Sequence, residues 1–252
     1  MDGGDYSHPT IGHEERENWL VLRGMGAMRY DAITLGELEL ARGVDYVQSI
    51  IDSTRVPIVL ANVRFAKSKQ PVGQRFVIRS MGDVSYGIIG LLGQDFGDGK
   101  DKFTDLGFVI DDPFEVAAKV VPEVRKKVDV VVVLAHLGSA DALQLPKAVP
   151  GIDMVVFGHY PGTVAPTQVG GAVTVRPGQR GQYIGQTRIV INPENKVVSY
   201  SGEAVALEVK SINENPVLAA ERRELKLALE AEAKLPGATP KKPTDADIHS
   251  IE

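Results

Sequence analysis

The chain has 252 residues, 43% of them apolar, which is enough for one large core or two modest ones. A formal net charge of −5 gives no basic surface of the kind that binds nucleic acid, and the lack of cysteine excludes disulfides and thiolate metal sites. No apolar run approaches the length of a membrane span, and residues 1–20 are too polar and Gly-rich to read as a signal peptide.

The opening Met1-Asp2-Gly3-Gly4-Asp5 has the look of the last residues of a strand, which leads us to expect a first strand and its motif ahead of Met1. Residues 6–12 read as a loop. Residues 14–28 are expected to be helical, with Trp19, Leu22 and Met25 near one face and acids in the first turn. Residues 30–35 (YDAITL) form a short strand candidate ending at Gly36. Residues 43–53 resume a helical pattern through Val44, Val47, Ile50 and Ile51. Residues 57–62 (PIVLAN) read as another buried strand.

Residues 76–80 and 84–92 are expected to pair antiparallel around a turn at 81–83, and residues 94–105 read as a polar loop rich in Gly and Asp. Asp111-Asp112-Pro113 opens a helix running to Lys127, with Pro in its first turn and basic residues at its end. Its apolar face is Phe114, Ala117, Val120, Val121 and Val124.

Two apolar runs then each end in a histidine. Residues 130–135 are capped by His136, residues 154–157 by Gly158-His159, and residues 140–148 between them are long enough for a short helix. Strand, helix, strand is the unit of a parallel sheet, with a right-handed crossover expected. Ligands of such sheets gather beyond the carboxyl ends of the strands, so His136 and His159 should face one site. After Gly162 the pattern is all-β, with strands at 172–176, 183–191 and 197–207. A charged helix at 216–235 and a linker-like tail at 236–252 follow. There is no internal repeat, Walker-type loop, nucleophile elbow or dinucleotide fingerprint.

Laid out in this way, residues 1–210 resemble the calcineurin-like metallophosphoesterases, in the branch of the bacterial 5′-nucleotidases. DGGDYS matches the family's Gly-Asp motif, and YDAITLGELELARG stands where the family has a GYDAxxLGNHEFDxG run. PIVLANV matches the strand after it, VVVVLAHLG the third block, IDMVVFGHYPG the GHxH block, and VRPGQRGQYIGQTRIVI the closing hairpin. The resemblance implies an α/β (α+β) fold, a two-sheet β-sandwich flanked by helices, over residues 1–210, then the charged helix (211–235) and a flexible tail (236–252).

It also implies phosphate-ester hydrolysis by metal-activated water. Carried over by position, Asp5 matches the metal-bridging carboxylate, and His136 and His159 match imidazole ligands of one metal. Glu37 takes the place of the family's ligating Asn. The implied ligand set is therefore Asp5, Glu37, His136 and His159, with Asp5 and His136 catalytic, around one Mn, Fe or Zn ion. The departures are specific. The opening Asp-x-His pair has no counterpart, Leu38 replaces the phosphate-contacting His, and Pro161 replaces the last His of the GHxH block. The implied partner is a small phosphorylated substrate, a nucleotide in the nearest case, and the implied location is the periplasm or envelope. Full-length 5′-nucleotidases carry a second, nucleoside-gripping domain, so the tail leads either to such a C-terminal domain or to nothing.

Each residue also has a plainer reading. Asp5 alone is a turn or N-cap residue. A histidine at a strand end is more often hydrogen-bonded within its loop, and a Glu in Gly-Glu-Leu-Glu is usually a solvated charge. Asn62 reads as satisfying local backbone groups. His8 and His13 read as solvated loop residues close enough in sequence to substitute as ligands. His249 has no role. Arg176 and Arg180 read as exposed hairpin charges before they read as phosphate contacts, and the helix at 216–235 as a solvated or docking face. Two functions therefore stand: a metal-dependent phosphoesterase domain, and a degenerate member that binds a metal, ligand or partner domain without hydrolysis.

Overall fold

The computed structural model describes residues 1–8, 15–94, 100–208, 213–232 and 234. His13, His249 and the tail lie outside the described residues, as do residues 95–99 of the expected polar loop.

The strand α-helix strand unit forms where the sequence places it. β5 (Val130–His136), α6 (Ser139–Ala148) and β6 (Met154–Phe157) follow one another, and β5 and β6 pair in parallel. Every residue of β5 is buried. Val131, Val133 and Ala135 face one core and Val130, Val132 and Leu134 another, which is why the run is continuously apolar rather than alternating. β2 (Phe76–Met81), β3 (Val84–Leu92), β7 (Val164–Val169) and β8 (Ala172–Arg176) complete a six-stranded sheet in the order β2-β3-β5-β6-β8-β7. Its four inner strands run parallel and its two edges antiparallel.

On one face, α5 (Pro113–Arg125) and α6 cover the sheet. Asp112 caps α5 by accepting hydrogen bonds from the backbone N–H of Phe114 and Glu115, beside a Pro in the first turn. The other face meets a second layer: extended backbone at Ala32 and Val59, and the antiparallel ribbon of β9 (Tyr183–Ile191) and β10 (Val197–Ala206), which contributes Ile189 and Ile191. Beyond that layer lies a third core, built on α1 (Glu15–Ala27), α3 (Val44–Ser53) and the short hairpin of β1 (Val63–Phe65) with β4 (Phe108–Ile110). The result is the expected two-layer β core between helices. α7 (Pro216–Glu232) packs against α1, with Arg23 paired to Glu221. Among the described residues no helix is long and apolar enough to cross a membrane.

Three expectations are corrected. Residues 30–35 and 57–62 are buried but are not full strands. They meet only through single bridges, Asp2 to Ile33, Ile33 to Ile58 and Val59 to Gln74. Pro57 has no N–H to offer a neighbour, and Gly36 turns the first segment at once into the one-turn helix α2 (Glu37–Leu40). The loop at 94–105 ends in a helix, α4 (Lys100–Asp105), because Phe103 buries its ring in the third core.

Candidate metal centre

Four separate pieces of chain arrive at one end of the sheet. β5 ends in His136. β6 ends at Phe157, and Gly158 donates to the Ala135 carbonyl, which puts His159 beside His136 with ring centroids 5.3 Å apart. From the second layer, the bridged backbone at Asp2 runs into Asp5, and that at Ile33 runs into Glu37. One donor atom from each of Asp5, Glu37, His136 and His159 lies within 4.8 Å of the others. The structure brings the two histidines together, and with them the two carboxylates of the expected ligand set.

Glu37 stands at the middle of the group and is only 7% exposed, so it is not the solvated charge that its local sequence suggests. Its Oε2 is 2.6 Å from His136 Nε2 and its Oε1 is 2.9 Å from His159 Nδ1, and Asp5 Oδ2 is 3.3 Å from His136 Nε2. His136 Nδ1 sits 2.7 Å from the Gly3 carbonyl, which can only accept, so Nδ1 carries the proton and Nε2 faces the carboxylates. Burial opposes charge on His136, but Asp5 and Glu37 outweigh it and hold the imidazole pKa well above its usual value. Burial likewise pushes Glu37 up, but hydrogen bonding to His136 and His159 prevails and holds it well below the carboxylate range.

The backbone is held unusually at two of the four positions. Asp5 (φ 60°) and His159 (φ 74°) are both in the left-handed region, which non-glycine residues seldom adopt and which concentrates at functional sites. Gly36 has no freedom to be anything else, since a Cβ there would run into the Asp5 carboxylate and lie 2.8 Å from His136 Cε1.

Tetrahedral ligands of a first-row ion stand about 3.4 Å apart when each bond is about 2.1 Å, so two imidazoles and two carboxylates at this spacing fit such an ion. A hard oxygen-seeking ion such as Ca²⁺ suits the set less well.

Several residues fall elsewhere than the sequence suggests, or were missed by it. Arg176 is not a free hairpin charge. Its guanidinium donates to the Gly162 carbonyl and to Ser139 Oγ and stacks over Phe157, tying down the turn that carries His159. Arg180 is exposed, and exposed His8 is held by its backbone N–H on Asn18 Oδ1. Asn62 does serve the backbone, bonding the Leu92 N–H, the Leu92 carbonyl and the Asp111 carbonyl. Glu39, which the sequence reading passed over, is fully buried behind the site. Burial and the Asp5 charge push its pKa up to about 7, against the N–H groups of Gly36 and Ser7. Its sequence signals are its place opposite the Glu of the GNHE run and three residues after the helix-opening Gly36, where a carboxylate reaches back to the first N–H.

No family model matches the chain. It is 28% identical over 232 residues to the 2′,3′-cyclic-nucleotide 2′-phosphodiesterase/3′-nucleotidase of Salmonella typhimurium, covering 76% of this chain and 34% of that protein. It is 27% identical over 261 residues to the human 5′-nucleotidase, covering 91% and 44%. Among solved structures it superposes on a 5′-nucleotidase precursor from Thermus thermophilus with a TM-score of 0.77 and 22% identity, over 92% of this chain and 50% of the other. The chain thus spans half or less of the length of these relatives. Its sequence is similar to 5′-nucleotidases and 2′,3′-cyclic-nucleotide phosphodiesterases, and its mixed α/β fold is that of calcineurin-like phosphoesterase structures.

Proposed function

We propose that the chain is a 5′-nucleotidase-like phosphoesterase domain whose reaction depends on one divalent Mn, Fe or Zn ion held by Asp5, Glu37, His136 and His159. The observation that carries the reading is the convergence of these four donors, from four separate parts of the chain, at the carboxyl ends of adjacent parallel strands. Such an ion, when bound, supplies a Lewis acid for a phosphoryl oxygen and a water of lowered pKa. The chain's own part is to aim the donors. The Gly3 carbonyl fixes the His136 tautomer, and Leu38 N–H donates to Asp5 Oδ1 at 3.0 Å, fixing that carboxylate. The substrate class, a small phosphorylated molecule with a nucleotide as first candidate, rests on the names of the relatives. Location in the periplasm or envelope is part of the same proposal and rests on the resemblance alone.

A second reading is favoured by one observation. Leu38 and Pro161 stand where the family has histidines, so neither position offers an imidazole. Loss of a general acid alone costs about 10²–10⁴-fold in rate, and a chain so depleted would bind a metal or ligand without useful turnover.

Metal content and phosphatase activity, measured on one sample, separate the readings. Wild type and His136→Ala are compared on p-nitrophenyl phosphate, bis-p-nitrophenyl phosphate and AMP, with Mn, Zn or Fe supplied in turn. About one metal per chain, with turnover that disappears in the variant, is expected for the hydrolase. Metal without turnover supports the binding protein, and failure to bind any of the three ions sinks the hydrolase and every metal-binding form of the second reading.

A further inference from the structure

Glu39 shares a single helical turn with Glu37 but points the other way, into the protein, and is 0% exposed. Its Oε2 accepts the backbone N–H of Asp5 at 3.0 Å and that of Gly36 at 2.8 Å, and its Oε1 accepts the N–H of Ser7 at 2.8 Å. One carboxylate therefore clamps two stretches of chain that are far apart in sequence: the turn that presents Asp5 and the turn that presents Glu37. In the return direction, Asp5 Oδ1 accepts the Leu38 N–H. We infer that Glu39 is a positioning residue, setting the Asp5 and Glu37 carboxylates at a fixed separation for the metal, an inference that rests on the metal reading above.

The physical case lies in the direction of the bonds. A fully buried carboxylate is costly unless its lone pairs are taken up, and here three backbone donors take them up. Each of the two ligand-bearing turns needs an acceptor for its N–H groups, and no shorter side chain at position 39 reaches both. Asp5 holds left-handed backbone, which persists only where its surroundings over-determine it, and the Glu39 bond to its N–H is part of that constraint. A carboxylate that served only to close α2 would need the Gly36 N–H alone. The bonds to Asp5 and Ser7 go beyond capping.

The test is titration of the full chain with cobalt(II), read by its visible d–d absorption, alongside the melting temperature of the metal-free protein. Glu39→Gln keeps the shape but sets an NH₂ group against one of the backbone donors. Glu39→Asp keeps the charge but shortens the reach. Tyr46→Phe is the control, because it removes a hydroxyl that contacts Ser7 Oγ at 3.1 Å and the side chains of Asn18 and Tyr6, and touches none of the Glu39 bonds. We expect both Glu39 variants to weaken cobalt about 10- to 100-fold and to alter the absorption envelope, while Tyr46→Phe lowers the melting temperature and leaves cobalt binding as it was.

A folded Glu39→Gln protein with the wild-type dissociation constant and spectrum overturns the inference, as does a Tyr46→Phe protein whose cobalt spectrum moves equally. If Glu39→Gln fails to fold, Glu39→Asp decides. If neither folds, the carboxylate is a folding requirement and the positioning role is overturned. Failure of the wild type to bind cobalt sinks the metal reading itself, whereas wild-type binding with unaltered variants sinks only the role given to Glu39.

Discussion

His136 Nε2 stands 2.6 Å from Glu37 Oε2, while the opposite ring nitrogen gives its proton to the Gly3 carbonyl. A neutral imidazole in that tautomer would turn a lone pair on a carboxylate at close range. The contact is satisfied by a proton on Nε2 or by a cation between the two residues, and the two compete for one place. Metal uptake is therefore expected to expel about one proton per ion, with affinity rising as pH rises. Calorimetric titration with Zn²⁺ or Mn²⁺ in two buffers of different ionisation enthalpy reads the proton count. Binding with no proton release, and with an affinity flat between about pH 6 and 8, would show that His136 is not a ligand.

Gly36 is expected to tolerate no side chain. A Cβ there meets the Asp5 carboxylate and His136 Cε1, and both side chains are tied to backbone, Asp5 Oδ1 to the Leu38 N–H and His136 Nδ1 to the Gly3 carbonyl. Gly36→Ala should cost about 1–3 kcal/mol of stability, as overpacking in a dense interior does, and should also displace Asp5 and lower metal affinity. Thermal melts with and without saturating metal check this. The variant should gain less from added metal than the wild type does. An equal gain would mean that the cluster absorbs the methyl group without moving its donors.

How much of this was legible in the sequence depends on the kind of interaction. The histidines were readable because each ends a continuous apolar run, and the parallel pairing of β5 with β6 follows from that pattern. Glu37 was nameable only through its place opposite the family's Asn, since nothing local distinguishes a ligand from a solvated acid. Its burial comes from α2 being pressed against residues 3–5, a contact between distant segments. Glu39 and the Gly3 carbonyl escaped notice because their partners are backbone groups, which have no residue identity to read. The segments at 30–35 and 57–62 have the composition of strands and the burial of strands. What they lack is pairing length, and pairing belongs to the neighbours.

Asn62 separates stability from the site. Its fully buried amide bonds the Leu92 and Asp111 carbonyls at 2.7 and 2.8 Å and accepts from the Leu92 N–H at 2.9 Å, the two Leu92 bonds being out of water. Asn62→Ala leaves buried backbone groups without partners, at about 1–3 kcal/mol for each group left unmet. We expect a large fall in melting temperature with an unchanged metal stoichiometry in the protein that remains folded. Loss of metal from folded Asn62→Ala protein would show that the β3 end and the site are more tightly connected than these bonds imply.

Leu38 offers the converse experiment, a gain. Its N–H is pinned by Asp5 Oδ1 and its side chain is half-buried beside the cluster, at the position where the family places an imidazole. Leu38→His should leave the four ligands in place and return a group able to exchange a proton with the substrate. If the missing acid is what limits this chain, turnover of p-nitrophenyl phosphate should rise by about 10²-fold or more, with the increase in kcat rather than KM. A bell-shaped pH profile with a limb near the ordinary histidine value should accompany it. An unchanged rate in a folded, metal-loaded variant would mean that the deficit lies elsewhere. The Pro161 side of the site, where the other histidine is replaced, would then be the next place to restore.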